Sequence, residues 1–156
     1  MTVSEYLKKI DEVNEKGPYR PEWDSLCGHR TPGWFTQAKF GIFIHWGVFC
    51  VPEAFSEWYP RHMYREGSPE HEDFKKRFGD MKHFGYKDLI PLFTAPKFSA
   101  DEWMDLFSEA GAKYVTPVAE HHDGFQMYRS GLSRWNSAEM GPRRDVLGEL
   151  KEAAER

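Results

Sequence analysis

Two short apolar runs, each ending in histidine, constrain this chain more than any other feature. The first, Lys39-Phe40-Gly41-Ile42-Phe43-Ile44, stops at His45-Trp46; the second, Lys113 to Ala119, stops at Glu120-His121-His122-Asp123-Gly124-Phe125. Their apolar residues are contiguous rather than alternating, the pattern of strands buried on both faces of a parallel sheet. Between them Ser99-x-x-Glu102 reads as a capping box. Trp103, Leu106, Phe107 and Ala110 then recur at helical spacing, and Gly111 ends the helix. Strand, crossover helix and strand make a βαβ unit, so the predicted class is α/β. In parallel α/β folds the carboxyl ends of the strands line the ligand site. His45, His121 and His122 are therefore predicted on one rim.

The rest of the chain fits around that unit. Thr2-x-x-Glu5 is a capping box, and Val3, Leu7, Ile10 and Val13 form the apolar stripe of an N-terminal helix expected to pack on the outside of the fold. Gly17-Pro18 stops it, and residues 17–33, rich in Pro and Gly, read as an irregular connector. Residues 46–67 read as a long loop around Ser56-Glu57-Trp58-Tyr59, and loops of that length in compact domains usually carry function. Pro69 to Phe78 reads as a short charged helix, with a helical turn at 87–93. Pro117 cannot donate to a ladder and predicts a bulge or an unpaired edge. Asp145 caps a last helix whose apolar face is Val146, Leu147, Leu150, Ala153 and Ala154, with Glu152 and Arg156 as an i, i+4 pair. Residues 1–156 are read as a single domain: helix and connector over 1–32, βα units over 33–156.

A net charge of −4 gives no electrostatic reason to expect nucleic acid or an anionic membrane as partner. No apolar run is long enough for a membrane span, and Met1-Thr2-Val3-Ser4-Glu5 lacks the features of a signal peptide. Cys27 and Cys50 match no metal or redox spacing and read as reduced thiols of a cytoplasmic protein. No cofactor is expected.

Carboxylate, imidazoles and flat aromatics together suit a sugar: polar groups for hydroxyls, an apolar wall for a C–H face. The candidate binding residues are His45, Trp46, Glu57, Trp58, His121 and His122, and the candidate catalytic carboxylates are Glu57, Glu120 and Asp123. Glu57 inside a Trp/Tyr cluster suits a general acid, because burial raises a carboxyl pKa. A metal held by the His121-His122 pair with His45 and Glu57 is disfavoured, since adjacent strand residues point to opposite faces. His29, His62, His71 and His83 belong to no constellation and read as surface residues, and Arg143 and Arg144 as partners of an acidic loop.

Several motifs in order resemble the opening of an α-L-fucosidase of glycoside hydrolase family 29. They are Trp34-Phe35, Ala38 to Gly47, Ser56-Glu57-Trp58-Tyr59, Phe98-x-x-x-Glu102-Trp103, Ala110 to Val115, His121-His122-Asp123-Gly124-Phe125, Trp135-Asn136-Ser137 and Gly141-Pro142-Arg143-Arg144-Asp145. The resemblance implies a (β/α)₈ TIM barrel, of which this chain carries about two βα units, and a retaining mechanism with two carboxylates. It carries fucose-binding roles over to His45, Glu57, Trp58, His121 and His122. It also implies that the family's nucleophile and acid/base lie on strands later than those read here. The expected partner is a fucosylated sugar. Completion of the sheet is expected from a homo-oligomer joined through exposed sheet edges, with a non-catalytic fucose-binding remnant or half of a split enzyme as the alternative.

Overall fold

The computed structural model describes all 156 residues, which divide into two compact units, Met1–Lys39 and Phe40–Arg156. The first unit holds α1 (Val3–Lys16), α2 (Trp23–Leu26) and α3 (Gly33–Ala38). The capping box closes as expected: Glu5 N donates to Thr2 Oγ1 at 3.3 Å and Thr2 N to Glu5 Oε2 at 2.6 Å. α1 buries none of its residues, and the stripe of Val3, Leu7, Ile10 and Val13 is exposed. The predicted connector is partly helical, through α2.

The second unit contains β1 (Ile42–Ile44), α4 (Tyr59–His62), α5 (Pro69–Phe78), α6 (Ala100–Glu109), β2 (Val115–Pro117) and α7 (Val146–Glu155), with 3₁₀ turns at Val48–Cys50 and Tyr86–Leu92. β1 and β2 pair in parallel, with Ile42 opposite Val115, Phe43 opposite Thr116 and Ile44 opposite Pro117. The predicted βαβ unit is present, but its strands are shorter than the apolar runs and are not buried on both faces. Ile42 and Ile44 are half-buried, whereas Phe43 is 66% exposed. Each strand has one neighbour, so the other edge and one face stay open.

Pro117 forms no bulge. Ile42 N donates to Tyr114 O and Val118 N to Ile44 O, so in the parallel ladder the even-numbered residues of β2 point their amides at β1. The nitrogens of Val115 and Pro117 face the open side, where proline forfeits no bond within this sheet.

The core lies elsewhere than the sheet. Val48, Tyr59, Met63, Phe74, Leu89 and Val146 are fully buried, each worth about 1.5–3 kcal/mol relative to exposure. Most of them come from the excursion between β1 and α6, and Val48, Tyr59 and Met63 lie in the 46–67 stretch expected as a loop. α6 starts at Ser99, whose Oγ accepts from Glu102 N at 3.4 Å, and it packs on α7. Its predicted stripe is only partly used: Trp103 meets the core, but Leu106 is 60% exposed.

α7 is capped by Asp145, whose Oδ1 accepts from Gly148 N at 2.9 Å. Arg144 pairs with Glu149 in the first turn of α7, not with an acidic loop. Its Nε lies 2.9 Å from Glu149 Oε1, its Nη1 donates to Phe98 O at 2.8 Å, and its guanidinium covers the Phe98 ring at 4.7 Å. Arg156 pairs with Asp101 on α6 rather than with Glu152; the i, i+4 pair of α7 is Lys151–Glu155. No helix is long and apolar enough to cross a membrane.

Candidate functional site

His45 follows β1 directly. After β2 the chain runs into a tight hairpin: Met127 N donates to Ala119 O at 2.8 Å, and Glu120 bridges Gln126. The tip is a turn in which Gly124 N donates to His121 O at 3.1 Å, with Gly124 at φ 69°, a conformation glycine adopts without strain. The turn sends its two histidines different ways. The His121 ring meets His45 at 5.3 Å and Phe49 at 5.3 Å, while His122 lies 4.1 Å from the Trp58 ring, tilted by 32°. A continuous row of rings thus runs from Phe43 through His45, His121 and His122 to Trp58.

Glu57 joins this row from the post-β1 excursion, half-buried. One ligand atom from each of His45, Glu57 and His121 lies within 4.8 Å of the others. Trp58 N donates to Ser56 Oγ at 3.3 Å, a local turn around Glu57. A hollow of about 290 Å³ adjoins this cluster, lined by His45, Phe49, Cys50, Phe55 and Glu57 among others. Burial holds the His121 pKa below the ordinary imidazole value, reinforced by the neighbouring His122 and His45 and opposed by Asp123 and Glu57. A neutral ring at pH 7 offers one donor and one acceptor, which is what a hydroxyl needs.

A family model described as Alpha-L-fucosidase matches residues 6–156. The chain belongs to the α-L-fucosidase family. Human tissue alpha-L-fucosidase is 48% identical over 149 residues, covering 93% of this chain and 32% of that protein; human plasma alpha-L-fucosidase is 45% identical over 136 residues. A crystal structure of Thermotoga maritima alpha-fucosidase superposes with a TM-score of 0.81 at 42% identity, covering 88% of this chain and 34% of that one. The structure of the same enzyme in complex with fucose also gives a TM-score of 0.81, at 41% identity. The chain therefore spans about a third of the length of these relatives.

Against this fucosidase frame, the other sequence candidates occupy different positions. Trp46 turns away from the histidine row. It packs on Phe93, Phe98 and Trp103 at 5.1, 5.2 and 5.2 Å, lining a cavity of about 600 Å³ that His45 also borders. It follows His45 at a strand end, where consecutive side chains diverge. Glu120 is exposed, and its Oε2 accepts from Gln126 Nε2 at 3.1 Å. Asp123 remains near enough to act electrostatically on His121, but both its oxygens are engaged. Oδ2 accepts from the Tyr86 hydroxyl at 2.6 Å and Oδ1 from Phe125 N at 3.1 Å. Asp123 thus latches the histidine turn to the Tyr86–Leu92 segment. Tyr86 is 9% exposed, and burial, with the adjacent carboxylate, pushes its phenol pKa well up. Tyr86→Phe removes the hydroxyl and is expected to cost about 1–3 kcal/mol, because a carboxylate loses its charge-assisted donor. A drop in urea midpoint at unchanged m-value measures it.

The structure also adds residues. His62 stacks beside Trp58 (6.2 Å, 18°), and its Nδ1 lies 3.1 Å from Glu70 Oε1. Trp58 is therefore flanked by His62 and by His122. His71 likewise is no free surface group, since its Nδ1 lies 2.8 Å from Met63 O. The i, i+4 spacing of Trp58 and His62 was the available signal.

Proposed function

We propose that this chain is the fucose-recognising part of an α-L-fucosidase-like glycoside hydrolase that removes terminal α-L-fucose from glycans or glycosides. The observation that carries the reading is the convergence of His45, Glu57 and His121, with Trp58 ranged alongside on His122. In this reading the imidazoles bind hydroxyls, the Trp58 indole lies against the sugar's apolar side, and Glu57 serves as acid/base. The fucose complex of the Thermotoga maritima relative supports the choice of sugar. Retention requires a second carboxyl about 5–5.5 Å from the first. With both Asp123 oxygens engaged and Glu120 bonded outside the cluster, the nucleophile is assigned to a carboxylate contributed by a neighbouring copy of the chain. A second copy of the chain, docked on the open edges of β1 and β2, is the proposed source of the missing sheet neighbours. The exposed ring of Phe43 and the unpaired backbone groups support that docking. A reading as a binding protein without turnover draws on the same engaged carboxylates. The free thiols of Cys27 and Cys50 support a cytoplasmic location as part of the proposal.

The test combines L-fucose titration with a chromogenic α-L-fucoside assay on size-separated fractions. Saturable fucose binding is expected, at least about tenfold weaker in Glu57→Gln, with turnover confined to species larger than the monomer. Binding with no turnover in any fraction selects the non-catalytic reading, and absence of fucose binding sinks both.

A further inference from the structure

We propose that His45, Glu57 and His121 also form a binding site for a borderline-soft divalent cation of the zinc class, and that cation and sugar exclude one another there. The exclusion rests on the proposed fucose reading; the cation site does not.

The sequence argument against a metal was that neighbouring imidazoles cannot share an ion. The structure removes that objection by leaving His122 out of the donor set, although its ring touches that of His121 at 4.5 Å. His122 is committed to the Trp58 ring, and the convergent set is His45, Glu57 and His121, without His122. Two imidazoles and one carboxylate are the donor set that holds catalytic zinc with a fourth position open. Imidazole donors favour Zn²⁺, Cu²⁺ and Ni²⁺ over Mg²⁺ and Ca²⁺, which prefer all-oxygen shells.

The distances are close to what an ion needs. Zinc bonds to nitrogen and oxygen run about 2.0–2.2 Å, so two ligands of one tetrahedral ion lie about 3.3–3.6 Å apart. The donor atoms here lie within 4.8 Å of one another, and small side-chain rotations bring them in. His45 is exposed on the rim and Glu57 half-buried, so the outer two ligands can close on the inner one. His121 is held by ring contacts with Phe49 and His122. Its Nδ1 is buried with no hydrogen-bond partner in the protein, so the bonding capacity of that nitrogen is not spent internally. The cation would occupy the side of the hollow where the sugar hydroxyls meet the imidazoles, which makes it a competitor rather than a cofactor.

The experiment is calorimetric titration of Zn²⁺ into the 156-residue chain near neutral pH, with and without saturating L-fucose and with Mg²⁺ as the counter-probe. Expected are saturable Zn²⁺ binding, no comparable heat from Mg²⁺, and affinity reduced roughly tenfold or more in His45→Ala and in Glu57→Gln. An exposed histidine elsewhere, changed in His83→Ala, should leave Zn²⁺ affinity unchanged. His45→Ala is the principal variant because an exposed rim residue is the least costly to the fold. Absent or unsaturable Zn²⁺ binding, or binding lost in His83→Ala but kept in His45→Ala, overturns the cation site. Fucose binding without Zn²⁺ binding sinks this inference and leaves the sugar reading standing. Zn²⁺ binding at the cluster that ignores fucose overturns the exclusion and keeps the cation site, and the sugar reading falls with it where fucose alone also fails to bind.

Discussion

His121→Ala is expected to abolish measurable L-fucose binding, while His121→Phe should restore stability but not the sugar. The two substitutions separate the two jobs of this ring. As a packed body it touches His45, Phe49 and His122, so truncation leaves a gap at the centre of the row. Phenylalanine fills that gap, but it has no nitrogen. Losing a hydrogen-bonding group from a desolvated site costs about 1–3 kcal/mol, or roughly a five- to 150-fold loss of affinity at 1.4 kcal/mol per decade. Alanine adds the collapse of Phe49 and His45 to that cost. Isothermal titration with fucose, paired with a thermal melt of each variant, reads both effects. Fucose bound as tightly by His121→Phe as by the unaltered chain would remove His121 from the binding role.

The largest stability effect is expected at Asn136, a residue that makes no chemistry. It is fully buried, and three hydrogen bonds hold its amide. Nδ2 donates to Ser133 O at 2.7 Å, and Oδ1 accepts from Ala138 N and Glu139 N, both at 3.0 Å. Asn136→Ala takes the side-chain partner from the Ser133 carbonyl and from the Ala138 amide, at about 1–3 kcal/mol for each group left unsatisfied, while Glu139 N keeps its 3.2 Å bond to Asn136 O. A loss of about 3–5 kcal/mol is expected, the range of the most damaging single changes. Its neighbour is the control. Ser137 is equally buried, but its Oγ has no protein partner, so Ser137→Ala should fall within about 0.5 kcal/mol of the parent. Urea unfolding of the two variants side by side measures the contrast, and equal losses at both positions would refute the hydrogen-bond account.

These residues also show what the sequence could disclose. The strand cores were readable because contiguous apolar residues between a helix stop and a histidine leave few alternatives, and Ser99 and Asp145 announced their helices through capping chemistry. The core within residues 46–98 was not readable. Val48, Tyr59 and Leu89 lie on 3₁₀ turns and a single helical turn, with Met63 just past it, too brief for any period of 2 or 3.6 to develop, and Phe74 lies on α5, which the sequence showed only as a charged helix. The convergence of His45, Glu57 and His121 was anticipated because strand ends and family motifs both pointed there. Trp46 and Asp123 show the limit of adjacency as a signal. Trp46 leaves the site because the next residue along a strand faces the other way, and Asp123 turns its carboxylate to the Tyr86 phenol and the Phe125 amide. His62 was overlooked because its significance lies in what it touches, Trp58 and Glu70, neither of which is its sequence neighbour.

The hairpin tip has one more implication. Consecutive histidines touch each other but meet different further partners, His45 and Trp58, so the length of the peptide between Pro117 and His121 acts as a phase setting. Deleting or inserting a single residue there would rotate the pair by half a turn. The imidazole meant for His45 would be delivered to Trp58, with composition almost unchanged and recognition lost.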